Sequence, residues 1–180
     1  MRAILLAVTM SLAAGGAWAA DRVLILANAR HAEAPDVAGA RAVAGIAASL
    51  RVAGWEVTVA ADRTAPQMRA ALSTLLAQVA PEDRVVILLA GHFVEGAGGT
   101  WMLGTEAAGP DVANVGGTAL DLRAVMGVAA RAPGGAAVML GTEARRLTLG
   151  AGLNAGIGRL DVPQGVAVVR GDAARIADFA

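Results

Sequence analysis

The sequence predicts an α/β fold, a three-layer αβα sandwich in which helices cover both faces of a mostly parallel sheet of about five strands. Three observations carry this expectation. Arg84-Val85-Val86-Ile87-Leu88-Leu89-Ala90-Gly91-His92-Phe93 is a charged entry followed by an unbroken apolar run that ends in Gly-His, the pattern of a strand covered on both faces. Before it, segments with strand and helix patterning alternate across short connections, which builds parallel strands joined by crossover helices. No internal repeat or linker interrupts the 180 residues, so one domain is expected.

The elements follow in order. Val23-Leu24-Ile25-Leu26-Ala27 is apolar and stops at the polar Asn28, a first buried strand. From Val37 to Val52 the apolar positions recur at helical spacing and Gly54 supplies the stop. Trp55 to Ala60 alternates and is β-branched, a second strand. Thr64 is a good N-cap for a helix from Ala65 to Val79, with Pro66 tolerated in the first turn and Met68, Leu72 and Leu75 on one face. The Arg84 strand is third. After it, Val94 to Gly99 is too rich in glycine to be regular, and Thr100 to Leu103 is a brief strand suited to a hairpin. Gly104 to Gly117 reads as a loop, Leu120 to Ala130 as a helix, Ala136 to Leu140 as a fourth strand and Gly165 to Val169 as a fifth. The stretch from Thr148 to Arg159 carries no regular pattern, and a helix starting at Ala173 stops almost at once, so the domain ends short.

Composition narrows the chemistry. There is no cysteine, which removes disulfides, thiolate metal sites and a cysteine nucleophile together. All fifteen basic residues are arginine, balanced by fifteen acidic ones and scattered among them. No basic stripe is available to neutralise phosphates, which argues against nucleic acid as a partner. Residues 1–19 differ in kind from the remainder: Arg2 precedes an apolar Ala3 to Ala14, and Ala17-Trp18-Ala19 is a small-x-small cleavage site. This is the pattern of a secretory signal peptide. The apolar run barely approaches the ~18 residues of a membrane span and Gly15-Gly16 breaks it, so an uncleaved anchor is the weaker alternative. Residues 20–180 are then the exported domain, periplasmic or secreted, with no span after leader removal.

Open parallel sheets place ligands beyond the carboxyl ends of their strands. Two such ends carry polar groups here, Gly91-His92-Phe93 after the third strand and Gly141-Thr142-Glu143-Ala144-Arg145 after the fourth. A histidine on one edge and a nucleophile on the next is the arrangement of a Cys-His or Ser-His dyad. The order of motifs resembles the caspase-like family of peptidases, which includes metacaspases. Ala53-Gly54-Trp55-Glu56-Val57 stands in the place of that family's Leu-Gly-Phe-x-Val. Asp62-Arg63-Thr64 is followed by a helix with Met68 and Leu72. Val86 to His92 matches the strand ending in Gly-His-Gly, and Trp101-Met102-Leu103-Gly104-Thr105-Glu106-Ala107 matches a Tyr-Leu-x-Pro-x-Asp-Ala hairpin. The likeness spans about Asp21 to Arg146.

The resemblance implies that His92 occupies the general-base position and that the residue after it lends an N–H to an oxyanion. It implies a nucleophilic Cys in an Asp-x-Cys segment on the next edge. Phe93 stands where the second Gly belongs, Gly141 replaces the acidic residue and Glu143 replaces the Cys. A carboxylate attacks an amide poorly. Serine offers no rescue, because Ser49 and Ser73 both fall inside predicted helices and no Gly-x-Ser-x-Gly is present. The expectation is a caspase-like pseudopeptidase that binds a peptide or protein segment along a crevice formed by Gly91, His92, Phe93, Trp101, Thr142 and Arg145, with neither cofactor nor metal. The alternative is a residual hydrolase using His92 with Thr142 or a water. An ion pair between His92 and Glu143 would raise the histidine pKa. His31, the only other histidine, reads as a solvated loop residue, and no His-x-His or His-x-x-x-His spacing points to a metal site.

Overall fold

A computed structural model describes residues 19–178. Nearly all of the predicted leader, residues 1–18, lies outside the described residues, and so does Phe179, the last position of the short C-terminal helix expected from Ala173. In chain order the elements are β1 (Asp21–Ala27), α1 (Ala38–Gly45), α2 (Ala47–Val52), β2 (Glu56–Ala61), α3 (Ala65–Gln78), β3 (Arg84–Ala90), β4 (Phe93–Gly96), β5 (Gly99–Leu103), α4 (Val115–Thr118), β6 (Ala119–Asp121), α5 (Leu122–Ala129), β7 (Ala136–Thr142), β8 (Leu153–Ala155), β9 (Val166–Asp172) and α6 (Ala173–Ile176).

Five strands form one sheet in the order β2-β1-β3-β7-β9, and every neighbouring pair is parallel. The apolar run from Val85 to Ala90 lies at its centre, as expected of a strand with helices on both sides. Alternate residues of these strands feed two cores. Leu24, Leu26, Ile87, Leu89, Val138 and Leu140 face α3 and α5. Val23, Ile25, Ala27, Leu88 and Ala90 face α1, α2 and α6. The α/β class and the parallel sheet are therefore present, with helices on each face.

A second sheet of four strands, β6-β5-β4-β8, is antiparallel throughout. It extends beyond the sequence reading in three places. Residues 94–96, expected to be irregular, join Phe93 in pairing with 99–102 as a hairpin, because Gly99 takes a φ of 131° and closes the tight turn. Leu120 and Asp121, expected to open a helix, join Ala119 in a strand against β5, and α5 starts only at Leu122, where the Asp121 carboxylate accepts the Arg123 N–H at 2.8 Å. Leu153–Ala155, within the unassigned glycine-rich stretch, pairs with β4. The helix expected over 37–52 is also divided at Ile46, directly after Gly45, the residue least suited to a helix interior apart from proline. The N-terminus of α3 is built as its sequence proposes, with Thr64 and Gln67 forming a reciprocal capping box.

Candidate functional site

The carboxyl ends of β1, β3 and β7 come together because the strands are adjacent in the sheet and in register, with Ala27 beside Ala90 and Ala90 beside Gly141. Each of these strands ends where its apolar run meets a polar residue, so the three following loops share one edge. Those after β3 and β7 meet a crevice of about 520 Å³ bordered by His92, Phe93, Thr142, Glu143, Arg145 and Arg146 on the strand side and by Ala155 and Gly156 at the end of β8. Among the described residues no helix is long and apolar enough to cross a membrane.

His92 borders this crevice but is only 2% exposed. Its Nε2 lies 2.6 Å from the Pro35 carbonyl oxygen in the loop after β1. A carbonyl can only accept, so Nε2 carries the proton and a neutral His92 ring keeps its lone pair on Nδ1. The His31 ring packs against it, with ring centroids 4.7 Å apart and planes tilted by 46°. His31 places Nε2 at 3.3 Å from the Asn28 carbonyl, while its Nδ1 is buried with no hydrogen-bond partner among the described residues. Burial is the main cause that lowers the His92 pKa from its ordinary value; the Pro35 carbonyl opposes it, His31 adds to it, Glu143 opposes it and Arg145 adds to it. Burial likewise lowers the His31 pKa, against the Gly104 and Asn28 carbonyls and the charges of Asp62 and Asp36. Two neutral imidazoles at neutral pH thus replace the solvated loop histidine expected at position 31.

Glu143 does not pair with His92. Its Oε1 accepts the Gly39 N–H at 2.6 Å, and its Oε2 accepts from Arg145 at 3.0 Å. The reason lies in α1. The first N–H groups of a helix lack intrahelical partners, and the residue at the cap, Val37, has no side-chain acceptor to offer. The Glu143 carboxylate, reaching across from the end of β7, supplies that acceptor and places negative charge at the positive end of the helix. The expected His92–Glu143 ion pair and its raised histidine pKa are therefore corrected: the carboxylate is committed elsewhere, and burial outweighs its charge.

The other predicted site residues divide. Thr142 and Arg145 border the crevice beside His92. Phe93 borders it too, but at 1% exposure its side chain belongs to the core with Met102 and Leu120. Gly91 lies beneath the crevice, its N–H bound to the Gly141 carbonyl at 3.0 Å and its α-carbon against the Met102 methyl, so no ligand reaches it. Trp101 is 7% exposed and packs with Val94, Leu103 and Leu153, outside the crevice lining. Its alternation along β5 explains this, since Trp101 and Met102 point to opposite sides of the sheet and only Met102 joins the main core.

The loop after β1, which brings His31 and the Pro35 carbonyl to His92, carries no catalytic pattern in the sequence. The available signal was Asn28, a polar residue at the end of an apolar strand. It is fully buried, donates from Nδ2 to the Arg63 and Leu103 carbonyls at 2.9 and 3.1 Å, and accepts the Arg63 N–H at 2.8 Å. It thereby ties the ends of β1, β2 and β5 into one rim. Among the described residues no three His, Asp or Glu side chains cluster as a metal site. No protein-family model and no curated protein matches this sequence.

Proposed function

We propose that this chain is an exported caspase-like domain that has lost its nucleophile and holds a peptide or protein segment in the crevice beside His92. The observation that carries this reading is the commitment of the carboxylate in the nucleophile position, while the His92 Nδ1 keeps its lone pair. The His92 Nε2 is bound to the Pro35 carbonyl, and Glu143, in the position the resemblance assigns to the nucleophile, caps α1 and pairs with Arg145. What remains is recognition: a crevice of about 520 Å³, the Arg146 guanidinium on its border suited to an acidic side chain, and the edge strand β8, which among the described residues pairs only with β4. An extended segment added along β8 would gain backbone hydrogen bonds there and side-chain contacts in the crevice.

The test is a mixed peptide library incubated with the domain and read by mass spectrometry for both retention and cleavage. The expected result is retained, intact peptides, with retention lost on Thr142→Trp, which fills the crevice. Cleavage that disappears on His92→Ala would overturn the reading in favour of hydrolysis by His92 with Thr142 or a water.

A further inference from the structure

A buried carboxylate at the opposite end of the sheet is set against the first residue of the domain. Asp83 is 4% exposed, in the turn before β3. Its Oδ1 accepts the Ala20 N–H at 2.8 Å, and its Oδ2 accepts from the Ala80 N–H at 2.9 Å and Arg22 Nε at 3.0 Å. Ala20 is held there by its own carbonyl, which accepts the Arg84 N–H at 2.9 Å. The surrounding charge is unbalanced. Among the described residues Asp21, Glu56 and Asp83 share two guanidiniums, because Arg84 pairs with Asp21 and Arg22 is shared between Glu56 and Asp83. Desolvation works to raise the Asp83 pKa, but the Ala80 and Ala20 N–H groups and Arg22 outweigh it and hold the carboxyl below its ordinary value. A buried anion with half of one guanidinium is a site for a further cation.

We propose that cleavage between Ala19 and Ala20 supplies that cation, placing the new α-ammonium of Ala20 directly on Asp83 and locking β1 into the sheet. Ala17-Trp18-Ala19 is the small-x-small pattern that leader peptidases cut. In the step water adds across the peptide bond: its hydroxyl goes to the Ala19 carbonyl carbon, one hydrogen goes to the Ala20 nitrogen, and the free amine then takes a proton from solvent. A neutral amide donor becomes a charged one with three N–H bonds, and the hydrogen bond to Asp83 becomes charge-assisted. The inference rests on the leader reading of residues 1–19 and is independent of what the crevice binds.

Two chains test it, one beginning at Ala20 and one at Ala19; both keep every strand and helix described. The sequence contains no lysine, so the α-amino group is the only amine in either chain. The pH dependence of its acylation by an amine-directed ester therefore reports its pKa without interference. In the chain beginning at Ala20 the pKa is expected at least about one unit above the ordinary ~7.7–8.0, and Asp83→Asn should return it to that range. In the chain beginning at Ala19 it should be ordinary. A group whose pKa is raised on folding contributes stability below its unfolded pKa and loses it as pH rises through the folded value. The Ala20 chain should accordingly melt higher than the Ala19 chain at pH 7, with the gap closing toward pH 10. An ordinary α-amino pKa in the folded Ala20 chain, or equal melting of the two chains at pH 7, overturns the proposal. So does an intact mass of the exported protein that places its terminus at any other residue.

Discussion

His92 is a histidine whose surroundings, more than its position in the sequence, decide what it can do. Desolvation keeps both imidazoles below their usual pKa, so protonation must be forced on the folded state while the unfolded chain takes protons near pH ~6.5. Below that pH the unfolded state binds more protons, and stability falls as pH drops. The melting temperature is expected to decline between pH 7 and pH 5. His31→Gln together with His92→Gln should flatten that decline, and a profile unchanged by the double substitution would contradict the burial of the pair. Glu143 belongs to the same scale. Glu143→Ala strands the Gly39 N–H and should cost about 1–3 kcal/mol in urea unfolding. Arg145→Ala should cost under about 1 kcal/mol, because that side chain is half exposed. The presence of a histidine at the end of β3 was legible from the apolar run that stops at Gly91. Its partners were not, because Pro35 and His31 reach it only through the adjacency of β1 and β3, which local pattern does not encode.

At the scale of elements, the parallel strands were readable because burial on both faces leaves near-continuous apolar runs. The antiparallel sheet was not, because its strands are short and glycine-rich. Glycines at 96, 98 and 99 look like loop, yet Gly96 is pressed against the Gly152 carbonyl and Gly98 against the Trp101 ring, so the strands need them to approach closely. The contact between α1 and α6 shows the same constraint. A methyl group on Gly39 would sit 2.5 Å from the Ala174 nitrogen and 2.9 Å from the Ala173 carbonyl carbon, both backbone atoms. Gly39→Ala is expected to destabilise by about 1–3 kcal/mol. At Gly45 nothing lies within 4 Å of an added methyl, and Gly45→Ala should be neutral or stabilising by up to about 1 kcal/mol. Chemical denaturation shows a loss for Gly39→Ala and none for Gly45→Ala if α1 packs as described, and matching losses would argue against it.

For the molecule as a whole, the two sheets share a core. Phe93 and Met102 of the antiparallel sheet pack in the cluster that contains Leu89, Val138 and the buried faces of α3 and α5. Phe93→Ala should therefore cost about 3–5 kcal/mol while thermal unfolding stays a single transition. A separate early transition would show that the second sheet is an independent unit. This shared core also fixes the mouth of the crevice, since β4 leaves it directly after His92. The central claim is that the histidine at that mouth has no reactive partner. Long-range ¹⁵N NMR of the imidazoles, assigned with a His31→Gln variant, tests it most directly. A neutral His92 ring protonated on Nε2, titrating below the ordinary ~6.5 and lowered only slightly further by Glu143→Gln, is the predicted result. An imidazolium at pH 7 that becomes neutral when Glu143 is replaced by Gln would contradict it.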